Sequence, residues 1–374
     1  MLHEPVTYPA GTAALPSAPR IHFQPISANG FFATLRARVD DHFKATGAQP
    51  TGGFYIAIKA AVYFGLAALC YTLMLTGGFS EPMTLALAVA YGVATILLGV
   101  NVGHDGAHNA VSRRAWVNKA ALNISFTLIG VDPHLWQLRH AKSHHIFPNV
   151  NGCDIDIDSN VFLRLSPNHP RRPHQRFQHI YAPFLYAIVG FQSAFIQDFQ
   201  YLFKKELANL TNITHKPSFY AWFALRKAIY AAIMFALPMA LLPFPWWHVA
   251  LGALIANATG SFVFVAMLIG THFADETQFP EPGQDGAFAH DFATHALVTS
   301  LDWNPQSQLT QFVAGGANAH AAHHLFPHMS HAHYASVSRI VERTARDYGI
   351  RYNRTTFLGL VASHFRFLHK MGAA

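Results

Sequence analysis

Eight histidines fall into three clusters whose spacing suits metal binding: His104-Asp-Gly-Ala-His108, His140-Ala-Lys-Ser-His144-His145 and His320-Ala-Ala-His323-His324. On a helix, residues three or four apart share a face about one turn apart. Each cluster therefore offers two imidazoles side by side, and the second and third add an adjacent one. Neutral imidazole is a good donor for iron, zinc and copper. Eight such groups exceed the four of a structural zinc site and suit two ions, each keeping a position for oxygen or water. A single pair four apart is a common accident, whereas three clusters with ligand spacing are not. The chain carries 25 histidines against 19 acidic residues, an excess that packing a core does not require.

The elements that must carry these clusters are membrane helices. Of the 374 residues, 51% are hydrophobic and 12% charged, about half the charged fraction of a soluble domain. Apolar runs predict spans at about 54–76, 83–102, 226–243 and 249–271; the first is roughly 34 Å long as a helix, enough to cross a bilayer. Lys59, near the start of the first run, is expected to snorkel towards the headgroups. The turns 77–82 and 244–248 contain no Lys or Arg, whereas 109–178 and 273–374 are rich in both. The positive-inside rule then puts both termini and all three clusters on the cytoplasmic side. The fold class expected is an all-α integral membrane protein of four transmembrane helices, with interfacial helices and a cytoplasmic histidine-rich cap.

Between these spans, Ala120 to Val131 is apolar but too short to cross and reads as an interfacial helix. Ile180 to Phe203 is broken by Pro183, Gln192, Gln197 and Asp198 and reads as a surface or partly embedded helix, with a full span as the alternative. Residues 1–50 read as an N-terminal cytoplasmic segment in which Phe31 to Val39 forms a short helix on the membrane surface or a solvated tail, and 51–374 as one domain. Cys70 and Cys153 lie in unlike surroundings and do not suggest a disulfide. The net charge of +7 suits an anionic lipid surface; no zinc-finger spacing or aromatic RNA-binding motif points to nucleic acid.

At the three clusters the sequence resembles the membrane fatty-acid desaturases, whose boxes are HxxxH, HxxxHH and HxxHH or QxxHH, with two spans between the second and third. It is most similar to bacterial acyl-CoA (linoleoyl-CoA-type) and front-end desaturases, in His144-His145-Ile-Phe-Pro-Asn-Val-Asn-Gly-Cys-Asp-Ile-Asp, His179-Ile-Tyr-Ala-Pro and His323-His324-Leu-Phe-Pro-His-Met-Ser-His-Ala-His-Tyr. The resemblance implies a di-iron centre held by His104, His108, His140, His144, His145, His320, His323 and His324. It also implies a further ligand at the cytoplasmic end of the fourth span, where His272 stands. An asparagine that serves some members one turn earlier is Leu268 here, and His320 stands where front-end members usually have Gln. Asp105, Asp154, Asp156 and Asp158 are candidates to orient ligand imidazoles from behind.

The activity implied is O2-dependent desaturation of a fatty acyl chain carried on CoA, acyl-carrier protein or a glycerolipid, in a bacterial inner membrane. No His-Pro-Gly-Gly motif of a cytochrome b5 domain occurs, so the resemblance implies a separate electron donor such as ferredoxin or cytochrome b5. Two alternatives remain open at this point. A fatty acyl hydroxylase would use the same centre. A membrane metal transporter would need ligands at mid-membrane, whereas these histidines lie at span ends.

Overall fold

A computed structural model describes residues 21–157 and 161–373. Residues 1–20 and Asp158, named above, lie outside the described residues. The described residues are mostly helical, because the apolar runs are long and rich in Ala and Leu. In order, α1 is Phe31–Thr46, α2 Gly53–Thr76, α3 Glu81–Ala107 and α4 Ala115–Leu128. Next come α5 (Pro133–Arg139), α6 (Pro173–Phe203), α7 (Pro217–Leu241) and α8 (Trp246–His272). The short helices α9 (Phe292–Val298), α10 (Gln308–Ala314) and α11 (His320–Leu325) precede α12 (Tyr334–Asp347) and α13 (Phe357–Ala373). A two-stranded parallel ladder pairs Asp302 with Arg354 and Trp303 with Thr355.

Five helices are long and apolar enough to cross a membrane by length and composition: α2, α3, α6, α7 and α8. Together with the apolar side chains they expose, such as Phe184, Leu66 and Leu251, they make this a membrane protein. The fifth, α6, is one continuous helix over the stretch expected to be a surface or partly embedded helix, with a full span as the alternative. Pro183 lies inside it, and a π turn at Ser193–Gln197 is absorbed without a break. Its polar residues face protein: Asp198 Oδ2 accepts from Lys227 Nζ at 2.7 Å, and Gln197 Oε1 from Arg139 Nη1 at 2.5 Å.

Two smaller expectations are corrected. Lys59 does not snorkel; it is fully buried. The apolar face of α1, Phe31, Leu35 and Val39, faces the protein core, packed with Leu297, Val337 and Val341. The i, i+4, i+8 spacing is satisfied by α12 and α9 rather than by lipid. Cys70 and Cys153 are free thiols.

Candidate metal centre

Box one lies on the last turn of α3, after a π turn at Gly99–Gly103. That turn presses against α4: a Cβ on Gly106 would come within 2.8 Å of the Asn118 carbonyl and 2.9 Å of the Leu122 nitrogen. Box two follows α5, whose first turn is capped by Asp132 accepting from the His134 and Leu135 amides. His140–His144 is itself a π turn. Box three is α11, reached through Gly316, whose φ of 84° few other residues adopt. Asp302 Oδ1 accepts from the Ala321 amide at 2.9 Å, and Tyr352 donates to its other oxygen at 2.6 Å. This holds the start of α11. Burial pushes the Asp302 carboxyl up to about 7.

The boxes converge, but not as three separate pairs. One set is His104, His108, His140 and His323; the other is His144, His272, His320 and His324. Within each set the facing atoms all lie within 4.8 Å of one another. Boxes two and three are each divided between the sets, because the π turn spreads His140 from His144 and α11 turns His320 away from His323. His145 belongs to neither foursome. Its Nε2 stands 3.0 Å from His140 Nε2, and its ring lies 4.4 Å from those of both His323 and His324. His328, His331 and His333 lie outside both sets.

The donor set fits cations. His140 Nε2 faces two other Nε2 atoms, those of His104 at 3.1 Å and His145 at 3.0 Å. Imidazole hydrogens cannot satisfy all three at once, because each neutral ring carries one. In the other set, His272 Nε2 and His324 Nε2 stand 3.0 Å apart. A cation held between them would take up both lone pairs. The Nε2 atoms of His108, His320 and His323 are buried with no hydrogen-bond partner among the described residues, a cost that a bound cation removes.

Three rings are held from behind so that Nε2 faces inward. His144 Nδ1 donates to Asp154, 3.1 Å from each oxygen; His272 Nδ1 donates to the Thr299 carbonyl at 2.8 Å. Tyr334 donates to the Met329 carbonyl, so it accepts from His323 Nδ1 at 3.2 Å. Burial holds the His108, His145, His320, His323 and His324 rings well below the ordinary histidine range, in the neutral form that binds metals. Burial also pulls His144 down, but the charges of Asp154 and Asp156 outweigh it and raise this ring.

Of the acidic candidates, Asp154 meets a box histidine directly. Asp156 lies 3.7 Å from His144, and Asp105 turns away to His331 and Ser330. Sequence reasoning assigned no role to Tyr334, Thr299 or Asp302. Tyr334 was visible only as part of the Pro-His-Met-Ser-His-Ala-His-Tyr stretch, and the Thr299 contact is a backbone carbonyl, which has no sequence signature.

The fatty acid desaturase family profile matches residues 80–356, from the start of α3 to just past box three and α12. The sn-1 linoleoyl-lipid 6-desaturase of Arthrospira platensis is 27% identical over 349 residues, covering 91% of this chain and 92% of that protein. The enzyme of the same name from Synechocystis sp. is 28% identical over 360 residues, covering 96% and 99%. An acyl-lipid (8-3)-desaturase of Physcomitrium patens is 28% identical over 352 residues, covering 91% and 72%. The two histidine sets thus sit in a helical membrane oxidoreductase acting on lipid acyl chains, and the chain belongs to the fatty acid desaturase family.

Proposed function

We propose that the chain is an O2-dependent acyl-lipid desaturase that holds two irons, one by His104, His108, His140, His145 and His323 and the other by His144, His272, His320 and His324. The observation that carries this reading is the pair of inward-facing histidine sets, with unpartnered Nε2 atoms and a carboxylate-backed His144. An all-nitrogen set of nine exceeds what zinc sites use. When bound, two irons supply O2-dependent removal of hydrogen from neighbouring methylenes, with two electrons from a separate donor such as ferredoxin or cytochrome b5. The protein's part is position and dryness: Asp154, the Thr299 carbonyl and Tyr334 fix the rings, and burial excludes water. The names of the relatives favour an acyl chain of a membrane glycerolipid over acyl-CoA.

Parity supports a particular membrane arrangement. Three candidate spans, α6, α7 and α8, lie between boxes two and three. An odd number of crossings would put the boxes on opposite sides, so two of the three cross. Of the three, the consecutive pair α7 and α8 is the more apolar and α6 the least. With α2 and α3 this makes four spans, α6 lying partly embedded beside α8. The Lys- and Arg-rich box side faces the cytoplasm of a bacterial inner membrane, and residues 51–374 form one domain on which α1 packs.

The test is expression in a host of known lipid composition, with double bonds and hydroxyls located in the acyl chains by mass spectrometry. The expected product is two hydrogens lighter than its parent chain. A product gaining one oxygen without that loss replaces desaturation by hydroxylation; unchanged lipids with metal uptake by the cells would favour transport.

A further inference from the structure

A buried polar chain runs behind box one. Lys59, nearly two turns into α2, is fully buried. Its Nζ donates to His331 Nε2 at 2.8 Å and approaches the Gln311 carbonyl at 3.4 Å. It also lies 5.2 and 5.0 Å from the ring centroids of Tyr55 and Phe312. On the far side of the imidazole, His331 Nδ1 donates to Asp105 Oδ1 at 2.9 Å, while Ser330 donates to Oδ2 at 2.6 Å. An unbroken line of hydrogen bonds therefore runs from the first apolar helix to the residue between His104 and His108.

A lysine inside an apolar helix is costly and is a functional candidate by default; packing alone would be met by Met or Leu. This one engages a histidine that takes no part in either metal set. Asp105 is held at both oxygens, which opposes rotation of the last turn of α3 about its axis. Such a rotation would swing His104 and His108 away from His140 and His323. The residues that grip it, Ser330 and His331, belong to the loop that follows box three. The line thus ties two elements that both feed one histidine set. We propose that Lys59 and His331 are positioning residues for the metal centre, setting, through Asp105, the placement of His104 and His108 relative to His323.

This inference rests on the iron-centre reading above, and the wild-type chain separates the two. If purified wild-type protein loaded with ferrous iron holds none, the metal reading fails. If it holds two, the comparison of Lys59→Met with Lys59→Gln becomes decisive, because the amide of Gln still donates to His331 Nε2 and the thioether of Met does not. Expected for Lys59→Met is an altered Mössbauer signature for one of the two irons and desaturation lowered about tenfold or more. Expected for Lys59→Gln is a wild-type signature. A wild-type signature and turnover in Lys59→Met would overturn the proposal, as would a lowered unfolding temperature in both variants with no spectral change. Should Lys59→Met not accumulate in membranes, Ser330→Ala removes one hydrogen bond from the same carboxylate. It is expected to shift the same iron signal, and an unchanged signal there overturns the proposal as well.

Discussion

Replacing Asp154 by Asn tests how the centre is built at its most heavily bonded point. Asp154 is fully buried, and its two oxygens accept from His144 Nδ1 and from the Asn149 and Asp156 amides, the last two at 2.9 Å. Asparagine keeps one accepting oxygen and turns an NH2 towards a backbone N–H. One donor is left unsatisfied, costing about 1–3 kcal/mol of fold stability. Losing the charge behind His144 should weaken metal binding about 10- to 100-fold, which is about 1.4–2.7 kcal/mol. Because His144 belongs to only one set, Asp154→Asn at limiting ferrous iron should hold one ion where the wild type holds two. Its desaturation should fall at least about tenfold. Metal content per chain, thermal unfolding in detergent and lipid product analysis read these three quantities. Asp156→Asn, at a more exposed carboxylate 3.7 Å from the ring, serves as the control, with activity within about twofold of wild type. Two ions and full turnover in Asp154→Asn would refute the reasoning.

Other substitutions probe the rest of the structure. His108→Ala, His144→Ala and His323→Ala should each abolish double-bond formation and lower bound iron, and full activity in all three would remove the site assignment. Gly106→Ala puts a methyl 2.8 Å from the Asn118 carbonyl and should lower stability by about 1–3 kcal/mol by forcing α4 away from box one; an unchanged unfolding temperature would deny that close approach. Burial lowers His295 to about 4 from 6.5. The unfolded chain therefore takes the proton first, and stability falls as pH drops from about 6.5 to about 4, by up to about 3 kcal/mol. His295→Gln should make that pH dependence of unfolding shallower, and an identical slope would exclude the assignment.

What the sequence by itself determined is what is written locally. Box spacing, apolar run length and the Lys- and Arg-free turns are patterns within about 25 residues, so the boxes, the long helices and the family were legible without coordinates. His272 was legible too, through the resemblance of the end of α8 to the family. Tertiary structure decided the rest. The i, i+4 spacing of His140 and His144 suggested one shared face, yet a π turn sends them to different sets, and π turns carry no sequence signature as plain as an α-helical period. The polar residues of the 180–203 stretch read as breaks in an apolar run because sequence cannot show that Asp198 meets Lys227. Lys59 read as a snorkelling residue because the histidine that receives it lies 272 positions away. Burial of a charged or polar group depends on the partner that satisfies it. Where that partner comes from a distant segment, only the packed fold brings the two together.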